Sequence, residues 1–210
     1  GACASRPCMA WSTILSRKLD YPLLNFGFSG NGTMDSVVLD ELGKIDARMY
    51  IVDCLPNLVG IADSSVTARF RQGVALLRKY HRAPILLVEH AEAEADGEDS
   101  AACHKNALLR ACYEQLREEG VPELYYLSCR EIGLPDDALV DGIRCAEPVL
   151  RHGYLLLQDH MPEVHGLQLH DPDRDPLHIL QHTSCRVPLL PLQLFRLLTE
   201  RQTELTSLNL

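Results

Sequence analysis

Two short stretches of this chain have residue types and spacing suited to holding a developing negative charge. Gly27-Phe28-Ser29-Gly30-Asn31-Gly32 places three glycines within six residues, directly after an apolar run. With no Cβ atoms in the way, such a turn lets backbone N–H groups face an anion. Phosphate and a carbonyl-derived oxyanion are both candidates, and a plain tight turn would use the glycines equally well. Against phosphate, no Lys-Ser/Thr follows as in a P-loop, and Gly27-Phe28-Ser29-Gly30 does not complete a dinucleotide fingerprint. The second stretch, Tyr50-Ile51-Val52-Asp53-Cys54-Leu55-Pro56-Asn57, carries an apolar strand straight into Pro-Asn. That places an amide at the carboxyl end of a sheet, where open α/β folds bind ligands. The Asn57 NH2 could donate to an oxyanion; an Asx turn or a helix N-cap is the other local use for an asparagine there.

These stretches need a scaffold, and the surrounding pattern supplies one. Short apolar runs at residues 22–28, 48–55, 83–89 and 123–128 predict strands, and their near-continuous Leu, Ile, Val and Tyr content suits strands covered on both faces. Helical periodicity over residues 9–19, 34–44, 66–81 and 101–119 alternates with them. The result is the βαβ pattern of a parallel sheet. Gly120 with Pro122 just beyond marks the end of the last of these helices. Residues 91–100, rich in Ala, Glu and Asp, read as a solvated loop running into a helix start.

At 210 residues one α/β domain with a real core is expected. A net charge of -9 gives no basic footprint for nucleic acid or anionic lipid, and no apolar run approaches the roughly 20 residues of a membrane span. The eight cysteines lack paired CxxC spacing, and most of them read as small buried hydrophobes. Beyond Asp141-Gly142 the strand-helix alternation stops. His152, His160, His165, His170, His178 and His182 there lie among Pro162, Pro172, Pro176, Pro188 and Pro191, and no pair has the i, i+4 helical spacing with an intervening Glu that zinc peptidases use. No metal and no cofactor is expected from these patterns.

Three segments in order, GACASRPCMAW at residues 1–11, NFGFSGNG at 25–32 and VDCLPN at 52–57, resemble a bacterial branch of the SGNH (GDSL-like) hydrolase family. Residues 83–89 look like that branch's next strand, and the likeness covers residues 1–143. The resemblance implies a flavodoxin-like three-layer α/β/α fold. It also implies cleavage of acyl or acetyl esters, often on carbohydrates, by a Ser nucleophile and a His base usually paired with an Asp. Carried over by position, Gly30 matches the oxyanion glycine, Asn57 the oxyanion asparagine and Asp141 the acid of the late Asp-x-x-His-Pro element. Export from the cytoplasm is common among such members; the chain itself leaves its compartment open.

The chain departs from the family in three places. The nucleophile's GxS turn would precede Gly1, and Ser5, the nearest hydroxyl, lies beyond that turn. Arg144 occupies the histidine position, and an arginine stays protonated and cannot act as a general base at neutral pH. Residues 144–210 do not continue as family members do and are treated as a divergent segment, consistent with a shifted reading frame. In the family's 2-1-3-4-5 strand order the strand preceding Gly1 would lie between residues 22–28 and 48–55, so its absence would leave unpaired edges open to self-association. The leading expectation is a carboxylic-ester hydrolase whose catalysis is impaired. The alternatives are a binding remnant that holds an acyl or sugar ligand, or a truncated product with no ligand.

Overall fold

The computed structural model describes residues 11–19, 21–91 and 100–132, all within the first of two units, residues 1–170. Three parallel strands, β1 (Tyr50–Val52), β2 (Ile85–Val88) and β3 (Leu124–Leu127), form a sheet in the order β1-β2-β3. Tyr50 lies opposite Ile85 and Val52 opposite Leu87, while Ile85 lies opposite Leu124 and Val88 opposite Leu127. Each parallel pair is joined through a crossover helix, α3 (Asp63–Arg78) before β2 and α4 (Ala101–Glu118) before β3. Two helices, α1 (Trp11–Leu19) and α2 (Ser36–Gly43), precede the sheet, and the short α5 (Cys129–Ile132) comes after it.

The period of two along a strand sends alternate side chains to opposite faces. Val52, Ile85, Leu87 and Leu124 pack on one face against Leu39 of α2, Val66, Phe70, Val74 and Leu77 of α3, and Leu109, Cys112 and Leu116 of α4. Leu86, Val88 and Leu127 point the other way and meet Ile132, with Trp11 and Ile51 half-buried beside them. Every residue of β2 is buried. This is the three-layer α/β/α arrangement that the resemblance implies.

Helix ends obey local chemistry. The Asp35 carboxylate accepts from Val37 N–H at the start of α2, and the Ser100 hydroxyl accepts from Cys103 N–H at the start of α4. Each such cap is worth about 1 kcal/mol. Gly120, at φ +82°, closes α4 in the left-handed conformation that the sequence indicates. The predicted helices at 34–44, 66–81 and 101–119 become α2, α3 and α4; of the 9–19 helix, Trp11–Leu19 is described.

One predicted strand is absent. Residues 22–27 form no regular element and residues 28–30 close a 3-10 turn, so the strand expected at 22–28 is corrected. A strand exists only where a neighbour completes its hydrogen-bond ladder, and among the described residues none pairs with this segment or with the outer edge of β1. Instead the Asn25 side chain turns the chain locally: its carbonyl accepts from Gly27 N–H at 2.9 Å and its NH2 donates to the Ser12 hydroxyl at 2.7 Å.

Past the carboxyl end of β2, the Glu89 side chain is only 4% exposed. Its carboxylate accepts from Tyr126 OH, from Cys129 N–H at 2.6 Å and from Arg110 at 3.1 Å, binding β2 to β3, α5 and α4. Burial, reinforced by this carboxylate, pushes the Tyr126 hydroxyl well above its usual value. The Arg110 side chain is half-exposed and adds little. Glu89→Ala is therefore expected to cost about 2 to 3 kcal/mol, because two part-buried donors lose this acceptor. Urea denaturation of the two proteins measures it, and Arg110→Ala should cost under about 1 kcal/mol.

Candidate functional site

The glycine turn is built from alternating backbone hands. Gly27 is right-handed at φ −71° and ψ −19°, Phe28 has φ +49° and Gly30 has φ +92°. A right-handed residue succeeded by a left-handed one bends the backbone sharply, and the Gly27 N–H is taken up by the Asn25 side chain. Asn31 N–H donates to Phe28 C=O at 3.2 Å and closes the turn. Phe28 is an aromatic residue held where few side chains go, at a cost of about 1 to 3 kcal/mol that its surroundings must offset. Its ring stands 6.1 Å from that of Phe26.

Gly30 and Gly32 are glycines for different reasons. A Cβ on Gly30 would meet nothing within 4 Å, so only its left-handed backbone demands glycine, and that side of the turn opens outward. Gly32 is buried, and a Cβ there would lie 3.1 Å from Asn57 Nδ2 and 3.3 Å from Gly27 C=O. The close approach of the Asn57 side chain to the turn thus depends on Gly32.

Asn57 sits in a 3-10 turn, Leu55–Leu58, just after β1, with its own N–H donating to Cys54 C=O at 3.0 Å. It is neither an N-cap nor part of an Asx turn at the start of α3, whose N-cap is Ala62. Its Nδ2 makes a long 3.5 Å donation to Gly32 C=O, which leaves the second amide hydrogen for another acceptor. The structure therefore joins Asn57 to Gly32 directly, and to Gly30 through the turn that both glycines share. Asp141, Ser5, Arg144 and the six late histidines lie outside the described residues.

Several helix side chains hold the two loops in place. Arg69 of α3 donates to Thr33 C=O at 2.7 Å, and Met34 is buried with its methyl against Gly73 of α3. Lys105 of α4 donates to Ile61 C=O and to the Asp63 carboxylate, which also pairs with His104 at 2.7 Å. Hydrogen bonds from Lys105 first, then His104, hold the Asp63 carboxyl below its usual range. Asp53, beside the site, accepts from the Trp11 indole at 3.2 Å. Burial, with a smaller push from Asp53, raises the neighbouring Cys54 thiol to about 12.

The roles of Asn25, Arg69 and Lys105 emerge only from the fold. The Asn-x-Gly spacing at 25–27 is a legible Asx-turn signal; nothing local reveals which carbonyl a distant Arg or Lys will reach. The wide clefts among the described residues, such as one of about 530 Å³ lined by Asp46, Arg48, His81, Arg82 and Glu123, lie at the amino ends of the strands. They are shallow and mixed in charge, and they touch neither Gly30 nor Asn57. The glycine turn and Asn57, beyond the carboxyl end of β1, are the better candidate. Among the described residues no group of three or more His, Cys, Asp or Glu side chains gathers to hold a metal, and no helix is long and apolar enough to cross a membrane.

The close packing around Gly32 means that Gly32→Ala should destabilise the protein by about 1 to 3 kcal/mol through overpacking, read by urea denaturation. Cys54, with so high a pKa, should stay unmodified by iodoacetamide at pH 8 in the folded protein and react once urea is added, as peptide mapping would show. Because folding lowers the Asp63 pKa, its pairing stabilises the fold above the unfolded value of about 4 and is lost as pH falls through the folded one. Asp63→Asn should accordingly lose stability at pH 7 and converge with the parent as the pH falls through the lowered folded-state value, in denaturation curves taken from neutral to acid pH.

A model of the GDSL-like lipase/acylhydrolase family matches residues 1–147. The chain is also similar to the crystal structure of a protein from Bacteroides ovatus described as a GDSL-like lipase, with 28% identity and a TM-score of 0.58. That match covers 78% of this chain and 48% of the other, so the chain spans about half the length of the solved relative. No curated protein matches it. The parallel sheet, the turn-and-asparagine arrangement at its end and a family model covering more than half of the residues lead to one assignment: the chain belongs to the GDSL-like lipase/acylhydrolase family.

Proposed function

We propose that the glycine turn and Asn57 form the oxyanion-binding part of a carboxylic-ester hydrolase site, with Gly30 N–H and the Asn57 NH2 as donors to the tetrahedral intermediate. The carrying observation is the Asn57 amide standing against the turn with a donor to spare. Membership of the acylhydrolase family supports ester cleavage as the reaction class. Donors fixed in advance, where charge will develop, stabilise the transition state without reorganising when the reaction occurs. The acyl group and the alcohol, on a carbohydrate or a small molecule, remain part of the proposal.

The same reading holds that residues 1–210 alone carry the stabilising groups without those that start the reaction. A serine needs a base within reach to become a competent nucleophile, and the histidine position is Arg144. Residues 1–210 are expected to release p-nitrophenol from p-nitrophenyl acetate no faster than a heat-denatured control. Sequencing the gene on both sides of codon 1 and across codon 144, then expressing the longest frame, supplies the decisive arm. That product should hydrolyse the ester, and Asn57→Ala should lower kcat by about 10²- to 10³-fold. A verified full-length product with no turnover overturns the proposal. Saturable carbohydrate binding without hydrolysis would point to a binding module instead.

A further inference from the structure

The Lys105 side chain is 5% exposed, and a buried ammonium costs several kcal/mol unless its donors are taken up. Here both partners lie in one stretch, the Ile61 carbonyl and, at 2.7 Å, the Asp63 carboxylate. That stretch runs from the Asn57 turn into the first residue of α3. Leu58, the residue after Asn57, is fully buried, and Ile61 N–H donates to its carbonyl at 3.0 Å, so the chain from Asn57 to Ile61 is short and tightly turned.

A lysine is a poor choice if the only need is to pack α4 against α3. An apolar side chain of similar length would fill the space without the desolvation cost, and buried ion pairs replaced in this way are often neutral or gain stability. What an ammonium can do, and Met or Leu cannot, is grip a particular carbonyl and so fix where the loop runs. Of the two loops in the candidate site, the glycine turn has its own restraint, since Arg69 holds Thr33 C=O. Lys105 is the matching restraint on the other.

We infer that Lys105 is a positioning residue for Asn57: by holding Ile61 C=O and Asp63, it sets the placement of the Asn57 amide against Gly32. This rests on the reading of Asn57 as an oxyanion donor, but its test does not depend on catalysis. In 1H–15N spectra of the full chain, the Asn57 side-chain NH2 pair is assigned by its disappearance in Asn57→Asp. Lys105→Met is expected to shift or broaden that pair and the Gly32 amide, while the amides of Leu86 and Leu127, on the far face of the sheet, stay in place. A folded Lys105→Met protein whose Asn57 pair does not move overturns the inference, because a merely structural lysine would change stability and leave that signal alone. If Lys105→Met does not fold, Asp63→Asn replaces it and should move the Asn57 pair by less; an unmoved pair there overturns the inference too. Failure of ester hydrolysis in the full-length product would leave this result standing, so the two readings fail separately.

Discussion

The rest of the described structure depends on β2. It has a partner strand on each edge and all four of its residues are buried, so it anchors the two apolar clusters at once. Parallel strands need long crossovers, and those crossovers are α3 and α4, whose apolar faces close the larger cluster. Because the strands run the same way, the segments leaving β1, β2 and β3 gather at one end of the sheet. The Asn57 turn, the buried Glu89 and the start of α5 lie at the same end of the sheet for that reason.

The backbone at this end is irregular, and irregular backbone has to find hydrogen-bond partners outside a ladder. Here side chains provide many of them, those of Arg69, Lys105 and Asn106 from helices. Asn25 holds Gly27, Arg69 holds Thr33, Lys105 holds Ile61, and Asn106 grips both backbone groups of His90. Rigid helices thereby restrain loops that would otherwise move, and the left-handed Phe28 persists in such surroundings. A site whose donors must be preorganised benefits from this arrangement, since an amide that drifts by about 1 Å loses most of its electrostatic value.

The elements legible in the sequence are those set by local pattern. The periodicities of α3 and α4, the three apolar runs that form β1 to β3 and the glycine stop after α4 depend on residues close in the chain, and each lies within a few positions of where the pattern puts it. The run at 22–28 is also rich in apolar residues, yet it forms no strand. Strand character is completed by a neighbour, and the neighbour is a long-range fact that composition does not carry.

The candidate site divides along the same line. Glycine spacing and the Pro-Asn after β1, strengthened by the family motifs, are enough to single out Gly30 and Asn57, because turn geometry and the ends of parallel strands are local consequences of residue type. Only the tertiary structure decided that Asn57 meets Gly32, that Gly32 is glycine for want of space while Gly30 is glycine for its backbone angle, and that a lysine on α4 holds the loop between them and α3. Those relations join residues some 25 to 44 positions apart, so they exist only once the sheet has brought its loops together.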